Sequence, residues 1–149
     1  MEVSWKETIM TDLQGRGNFS ISGFSGKTVI VSVVSVSCPT CIIQLRRQLD
    51  GIGVLVNENP ERIERVALDL DPEEGPGFVA AYGGPANFTG YSARSPPAMT
   101  LALLHRFGPF AIDPETIPVI LVCPDGRDFL LPPGLKTPES LNETIAREC

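Results

Sequence analysis

The sequence predicts an α/β domain in which one β-sheet carries helices on both faces. Predicted strands and helices alternate along the chain, which favours this class. One predicted strand, residues 28–36, is apolar on nearly both of its faces, as is typical of a central strand that is covered on both sides. A chain of 149 residues with 42% hydrophobic residues is large enough to bury a core in a single domain. We therefore expect one domain over 1–149, with residues 1–8 as an N-terminal extension and residues 71–96 as a variable insertion.

Turn residues and proline define the first elements. Alternating apolar residues flank a Gly-x-Gly turn at 9–21, which predicts a β-hairpin. A helix is predicted from Pro39 to about Asp50, because proline is tolerated in a first turn, where its missing N–H is no loss. Gly51 and Gly53 weaken the helical pattern beyond that point, although Ile52, Leu55 and Val56 could extend it. The later predictions are a strand at 64–70, a short helix at 74–82, an extended piece at 87–91, a helix at 97–107, strands at 117–123 and 129–131, and a last helix capped by Thr137.

A Cys-x-x-Cys motif, Cys38-Pro39-Thr40-Cys41, lies where the predicted central strand ends and a helix begins. This placement is the sequence form of a dithiol/disulfide redox centre. The helix N-terminus offers unpaired N–H donors and a partial positive charge, which stabilise a thiolate. Reactive thiols in such motifs have pKa values of about 3.5 to 7.5, against about 8.5 for free cysteine. We predict thiol–disulfide exchange in which the more exposed Cys38 attacks and Cys41, one turn into the helix, resolves the mixed disulfide.

Charge and composition exclude other classes of function. The net charge is −6, with acidic residues concentrated at 58–74, so a phosphate backbone would be repelled and nucleic acid is not an expected partner. The chain has no run of about 18 apolar residues, so no transmembrane helix is predicted, and the first residues do not resemble a signal peptide. The predicted partners are protein thiols and disulfides, or a membrane or electron-transfer reductase, with the chain acting as a monomer.

The other two cysteines, Cys123 and Cys149, are isolated in the sequence. We expect no disulfide framework, because such frameworks belong to small, cysteine-dense chains. Cys123 ends an apolar strand and is expected to be a buried small hydrophobe, while Cys149 is the last residue. A structural zinc site is not predicted, because these two cysteines and His105 do not pair into a second ligand motif.

The order of these motifs resembles a thioredoxin-fold protein. A strand leads into the CxxC helix, and a Thr-Ile-Pro strand entry at 116–118 and a Pro-Asp-Gly turn at 124–126 follow. The lead-in at 18–27 is similar to that of TlpA/ResA-like, redoxin and Sco-like proteins, and 76 residues separate Cys41 from Pro118, more than in a minimal thioredoxin. The resemblance implies a central mixed β-sheet flanked by helices on both faces, an N-terminal β-hairpin, and a β/α insertion between the CxxC helix and a cis-proline strand.

The resemblance also implies a substrate-binding surface beside the cysteines. In this family the proline before the third sheet strand is cis and faces the CxxC, and Pro118 is its counterpart. Ile117 would then present its free backbone N–H and C=O to an extended substrate segment. Pro39 and Thr40, between the cysteines, would complete the substrate contact and tune the redox poise.

Two positions depart from the family pattern. Ser37 stands where these proteins usually carry tryptophan before the first cysteine, and Ser32 stands at the position of a buried carboxylate that assists proton transfer. A relocated carboxylate or a water would have to serve in its place.

Two alternative functions stay open at this stage. A Sco-like copper chaperone would bind Cu(I) through Cys38 and Cys41, since soft thiolates select this ion; the Sco pattern, however, has three residues between its cysteines and a distal histidine, and His105 is the only histidine here. A thiol peroxidase would carry Pro-x-x-x-Thr-x-x-Cys, where this chain has Val31 and Ser35. No cofactor is expected beyond the disulfide, except copper under the first alternative. The resembled branch is commonly exported and membrane-tethered, so the expected location is extracytoplasmic, or cytoplasmic in the absence of a tether.

Overall fold

The computed structural model describes residues 4–71 and 90–149. No helix in these two segments is long and apolar enough to cross a membrane. The strands are β1 (Met10–Thr11), β2 (Asn18–Phe19), β3 (Thr28–Val34), β4 (Ile63–Asp69), β5 (Tyr91–Arg94), β6 (Val119–Val122) and β7 (Asp128–Leu130). The α-helices are α1 (Pro39–Glu58), α2 (Pro97–Phe107) and α3 (Pro138–Glu148), and short 3-10 helices precede β1, β3 and β6.

Five strands form a mixed sheet in the order β5-β4-β3-β6-β7. The central strand β3 is parallel to β4 and antiparallel to β6, and all seven of its residues are buried. A parallel neighbour requires a crossover connection, which α1 supplies between β3 and β4. The predicted central strand and mixed sheet are therefore confirmed, and the carboxyl end of β3 delivers the chain directly to the CxxC.

The two faces of the sheet bury different helices. Val31 and Val33 project to the face that packs against Met99 of α2. Ile30, on the other face, packs in a cluster with Leu141 of α3 and with α1. Alternate residues of one strand thus enter separate cores, as the two-residue repeat of a strand requires. The prediction of helices on both faces is confirmed.

The N-terminal segment packs against the α2 side of the sheet. β1 and β2 form the predicted antiparallel hairpin, with Met10 opposite Phe19. Trp5 is 4% exposed, and its Nε1 donates to a carboxylate oxygen of Asp128 at 2.8 Å. The described part of the predicted extension, from residue 4 onward, therefore contributes to the core.

Helix α1 continues to Glu58, through two glycines that lie against neighbouring elements. A Cβ at Gly51 would lie 3.4 Å from Cδ of Pro138 at the start of α3, and a Cβ at Gly53 would lie 2.8 Å from Nη1 of Arg65. The helix gains more from the buried residues that follow, such as Ile52, than its glycines cost. The end predicted near Asp50 was short by two turns, and the alternative of an extension through Ile52, Leu55 and Val56 is the one observed.

Part of the predicted insertion lies outside the described residues. The short helix at 74–82 falls there entirely, and so does most of the extended piece at 87–91. Strand β5 begins at the last residue of that piece and forms the parallel edge of the sheet beside β4.

The isolated cysteines form a second disulfide. Cys123 follows β6 and is buried, as expected, but its sulfur is bonded to that of Cys149 at 2.04 Å, with the two Cα atoms 5.2 Å apart. The expectation of unpaired cysteines was wrong, because α3 runs back along the sheet and brings the last residue to the end of β6. Their 26-residue separation carries no sequence signal for this contact.

Candidate active site

The CxxC forms a disulfide at the N-terminus of α1. The sulfurs of Cys38 and Cys41 are 2.03 Å apart and their Cα atoms 5.3 Å apart. Cys38 is the N-cap residue and is half-buried, whereas Cys41 is 5% exposed. The carbonyl of Cys38 accepts from the N–H groups of Cys41 at 3.0 Å and Ile42 at 3.2 Å, which begins the helix. An incoming sulfur therefore reaches Cys38 more easily than Cys41.

The loop that leads into Cys38 is held by one carboxylate, that of Asp71. The backbone N–H of Val36, the N–H of Ser37 at 3.2 Å and the hydroxyl of Ser35 at 3.2 Å all donate to the same oxygen of Asp71. Burial by itself would raise the pKa of Asp71, but hydrogen bonds from Ser37, Val36, Asp69 and Ser35 outweigh it, and the pKa is lowered. An ionised Asp71 thus fixes the backbone just before the disulfide.

A second carboxyl, Asp69, lies beneath the same loop. Asp69 is 2% exposed, and burial, with a smaller contribution from the charge of Asp71, raises its pKa to about 7. The N–H of Asp71 donates to Asp69 at 3.0 Å. Asp69 is the register partner of Val34, so both side chains project to the face on which Val34 packs in one cluster with Cys41.

Asp69 supplies the kind of group that Ser32 lacks. Ser32 is buried on the same face of the sheet, two residues before Val34. The carboxyl is therefore present on the neighbouring strand. The alternation of β4 could have indicated it, since Asp69 shares a face with the apolar Ala67.

On the other side of the disulfide, a small cavity contains a carboxylate that the sequence did not indicate. A carboxylate oxygen of Glu115 and the sulfurs of Cys38 and Cys41 all lie within 4.8 Å of one another. Glu115 is exposed and belongs to the 3-10 turn Pro114–Thr116. The cavity has a volume of about 190 Å³ and is lined by Thr40, Cys41, Gln44, Pro114, Glu115 and Ile117.

The predicted cis bond before Pro118 is absent: the described residues contain no cis peptide bond. Ile117 instead adopts the left-handed conformation, with φ 51° and ψ 63°. The chain direction changes through these dihedral angles, so a trans bond suffices to enter β6. A β-branched residue rarely adopts this conformation, and the surrounding contacts hold it there.

The sequence predicted a free backbone N–H and C=O at Ile117, but both groups form hydrogen bonds within the protein. The N–H of Ile117 donates to the carbonyl of Pro114 at 3.1 Å, and its carbonyl accepts from Nζ of Lys136 at 2.5 Å. That part of the substrate-binding prediction was wrong, because two neighbouring segments satisfy the groups that a substrate would use.

Lys136 is placed by a buried glutamine of α1. The side chain of Gln48, 1% exposed, donates to the carbonyl of Lys136 at 2.9 Å and accepts from its N–H at 2.8 Å. Burial lowers the pKa of Lys136 to about 8. Gln48, Lys136 and Ile117 form a chain of contacts from α1 to the entrance of β6.

The structure brings together most of the predicted site residues. Thr40 and Ile117 line the cavity with Cys41, and the hydroxyl of Thr40 lies 3.6 Å from the sulfur of Cys38. Pro39 is the exposed first residue of α1, and Pro118 is buried with its carbonyl accepting from Val33 at 3.2 Å. Their roles in binding remain predictions.

His105 is not part of this group. It lies in the last turn of α2 and lines a different cavity, with Trp5 and Asp128. Among the described residues, the only potential metal ligand that joins Cys38 and Cys41 is Glu115. Its hard carboxylate oxygen is a poor donor for Cu(I), which prefers soft ligands.

Solved structures resemble this chain over almost its whole length. A structure of MTB DsbF in mixed oxidised and reduced forms has a TM-score of 0.70 and 14% identity, and the match covers 99% of this chain and 98% of that one. A secreted Mycobacterium tuberculosis disulfide oxidoreductase homologous to E. coli DsbE matches with a TM-score of 0.67 and 14% identity, over 98% and 99% of the two chains. The chain has the thioredoxin fold.

A solved structure from the Sco-like class of proteins is similar as well. A SCO1/SenC family lipoprotein from Bacillus anthracis matches with a TM-score of 0.68 and 14% identity, covering 94% of this chain and 91% of that one. No family model and no curated protein matches the sequence. The thioredoxin fold is thus defined by the structural similarity, and the chemistry of the site has to distinguish among the functions that it supports.

Proposed function

We propose that this protein is a thiol–disulfide oxidoreductase that exchanges the Cys38–Cys41 disulfide with cysteines of partner proteins. The observation that carries the proposal is a disulfide at a helix N-terminus whose first sulfur is accessible and whose second is buried. The DsbF and DsbE-like structures are similar to this chain in fold and support the same chemistry.

The exchange proceeds in two displacement steps. In the oxidised protein, a substrate thiolate attacks the sulfur of Cys38, the Cys38–Cys41 bond breaks, and Cys41 leaves as a thiolate that takes up a proton. A second substrate thiolate then attacks the mixed disulfide, so that the substrate gains a disulfide and the protein retains two thiols. In the reverse direction Cys38 attacks a substrate disulfide and Cys41 releases the reduced substrate.

The buried carboxyl provides a site for the proton of Cys41. Asp69 lies on the face that carries Cys41, and its pKa of about 7 lets it hold or release a proton near neutral pH. It would serve the role that the family pattern assigns to the position of Ser32.

Trapping of the mixed disulfide tests the proposal. Reduced Cys41→Ser protein is mixed with a peptide that contains one internal disulfide, and covalent adducts are measured by intact mass. We expect an adduct through Cys38, because the resolving thiol is missing. The matched control is Cys38→Ser, in which the remaining thiol is buried. The absence of an adduct with Cys41→Ser, or an equal yield with both variants, would contradict the proposal.

A further inference from the structure

The carboxylate of Glu115 beside the disulfide has no partner within the described part of the chain. It lies within 4.8 Å of both sulfurs, and no hydrogen bond or ion pair there reaches its oxygens. Its backbone N–H donates to the side chain of Asp113 at 3.1 Å, which fixes the turn but leaves the carboxylate free.

The ammonium group of Lys136 is not bonded to this carboxylate. Its Nζ donates to the carbonyl of Ile117, on the same cavity wall, and forms no ion pair with Glu115. The carboxylate of Glu115 therefore places an unpaired negative charge at the mouth of the cavity. That charge is available to whatever approaches the sulfur of Cys38.

From this geometry we propose that Glu115 selects substrates, favouring cysteines flanked by lysine or arginine over cysteines flanked by acidic residues. The inference rests on the proposed exchange function and names the substrate class of the same site. The Glu115 carboxylate lies within 4.8 Å of the sulfur of Cys38, so we take about 6 Å as the order of magnitude of its separation from a charge that flanks a bonded substrate cysteine. Unit charges at that separation in water change a rate constant about threefold. An attractive lysine and a repulsive glutamate would therefore differ by roughly tenfold.

Three peptides that differ in one position test this selection. Each carries a single cysteine flanked by lysine, glutamine or glutamate, and its exchange with the oxidised protein is followed at low salt. The rate for the wild type is divided by that for Glu115→Gln with the same peptide, which cancels the intrinsic reactivity of the peptide thiol. Because Glu115 also repels the attacking thiolate of every peptide alike, the glutamine ratio is the reference; we expect the lysine ratio to lie about threefold above it and the glutamate ratio about threefold below it.

Two further variants sharpen the comparison. Glu143→Gln removes the same charge from an exposed position on α3 that does not line the cavity, and its rates should follow the wild type. Glu115→Lys should reverse the preference. In about 0.5 M salt the preference should shrink, because exposed charges are screened.

The outcomes separate the two proposals. If the wild type exchanges with all three peptides but the three rate ratios are equal, Glu115 does not select substrates, and the oxidoreductase function is left intact. Equal ratios that all differ from one would show that Glu115 changes the exchange reaction itself, and would also overturn substrate selection. Absence of exchange with every peptide would instead overturn the oxidoreductase function.

Discussion

At the scale of single residues, two neighbouring carboxyls at the end of β4, Asp69 and Asp71, have opposite properties. Asp71 receives three hydrogen bonds from the segment before Cys38, and these lower its pKa despite burial. Asp69 loses water and faces the charge of Asp71, so its pKa is raised to about 7. Asp71 is therefore held in its ionised form, whereas Asp69 keeps its proton up to near-neutral pH. Because they interact, their titrations belong to the pair.

Substitution of Asp69 should change how stability depends on pH. Between pH 3.8 and about 7 the folded protein holds a proton on Asp69 that the unfolded chain releases, so stability falls as the pH rises through this range. Asp71 is ionised in both states there and adds nothing. We expect the wild type to lose about 2 kcal/mol between about pH 5 and pH 7.5, and Asp69→Asn to lose much less, in urea denaturation with both disulfides intact.

The control for this prediction is Glu143→Gln, an exposed change that should keep the wild-type pH profile. The side-chain amide introduced by Asp69→Asn can still donate a hydrogen bond toward Asp71, so the loop should remain in place. Parallel profiles for the wild type and Asp69→Asn would contradict the assignment of a raised pKa.

At the scale of elements, helix α1 connects the redox centre with the rest of the fold. Its first turn carries the cysteines, Gln48 forms two hydrogen bonds with the backbone of Lys136, and Gly51 faces Pro138 at the start of α3. The helix thereby fixes the position of the sulfurs relative to Ile117 at the cavity wall.

Replacement of the two helix glycines should give different results. A Cβ at Gly51 meets Pro138 at an ordinary contact distance of 3.4 Å, so Gly51→Ala should gain up to about 1 kcal/mol in unfolding free energy from helix propensity. Gly53→Ala would place its Cβ 2.8 Å from the guanidinium of the buried Arg65, so it should gain less or destabilise. Denaturant midpoints measure both variants. A loss of stability in Gly51→Ala as large as that in Gly53→Ala would show that the α1–α3 contact has no room.

At the scale of the whole molecule, two disulfides have different settings. Cys38–Cys41 lies at the surface near a cavity, whereas Cys123–Cys149 joins the end of the central sheet to the residue after α3. The carbonyl of Glu148 also accepts from the side chain of Arg127 at 2.8 Å, which holds the same helix end. The Cys123–Cys149 disulfide thus links two residues that are 26 positions apart and joins the end of β6 to the end of α3.

Removal of this second bond should destabilise the protein without abolishing exchange. A disulfide between cysteines that are 26 residues apart lowers the conformational entropy of the unfolded chain, and the chain-entropy relation gives a stabilisation of about 3.5 kcal/mol. We expect the double variant Cys123→Ala/Cys149→Ala to unfold at a lower urea concentration, with the Cys38–Cys41 pair kept oxidised in both proteins. When Cys41→Ser is added to the double variant, the protein should still form the mixed disulfide with the peptide through Cys38. An unchanged midpoint would contradict a structural role for the bond.

Local patterns in the sequence were enough to predict most elements and the redox pair. The CxxC was identifiable because its residues lie next to one another at the end of an apolar strand, and the helix starts at Pro39 and Pro138 were visible from proline and capping chemistry. The sequence left the end of α1 open between Asp50 and a longer helix, because only the packing of Ile52, Leu55 and Val56 into the core offsets the cost of Gly51 and Gly53.

The sequence by itself thus determined the order of strands and helices, the central strand and the position of the CxxC, because these depend on neighbouring residues. Only the tertiary structure decided that Glu115 lies beside the sulfurs and that the buried carboxyl of Asp69 shares a face of the sheet with Val34. It also decided that the backbone of Ile117 is hydrogen-bonded and that the bond before Pro118 is trans. It also paired Cys123 with Cys149. These contacts join segments far apart in the chain, and their distances follow from how the sheet and helices pack.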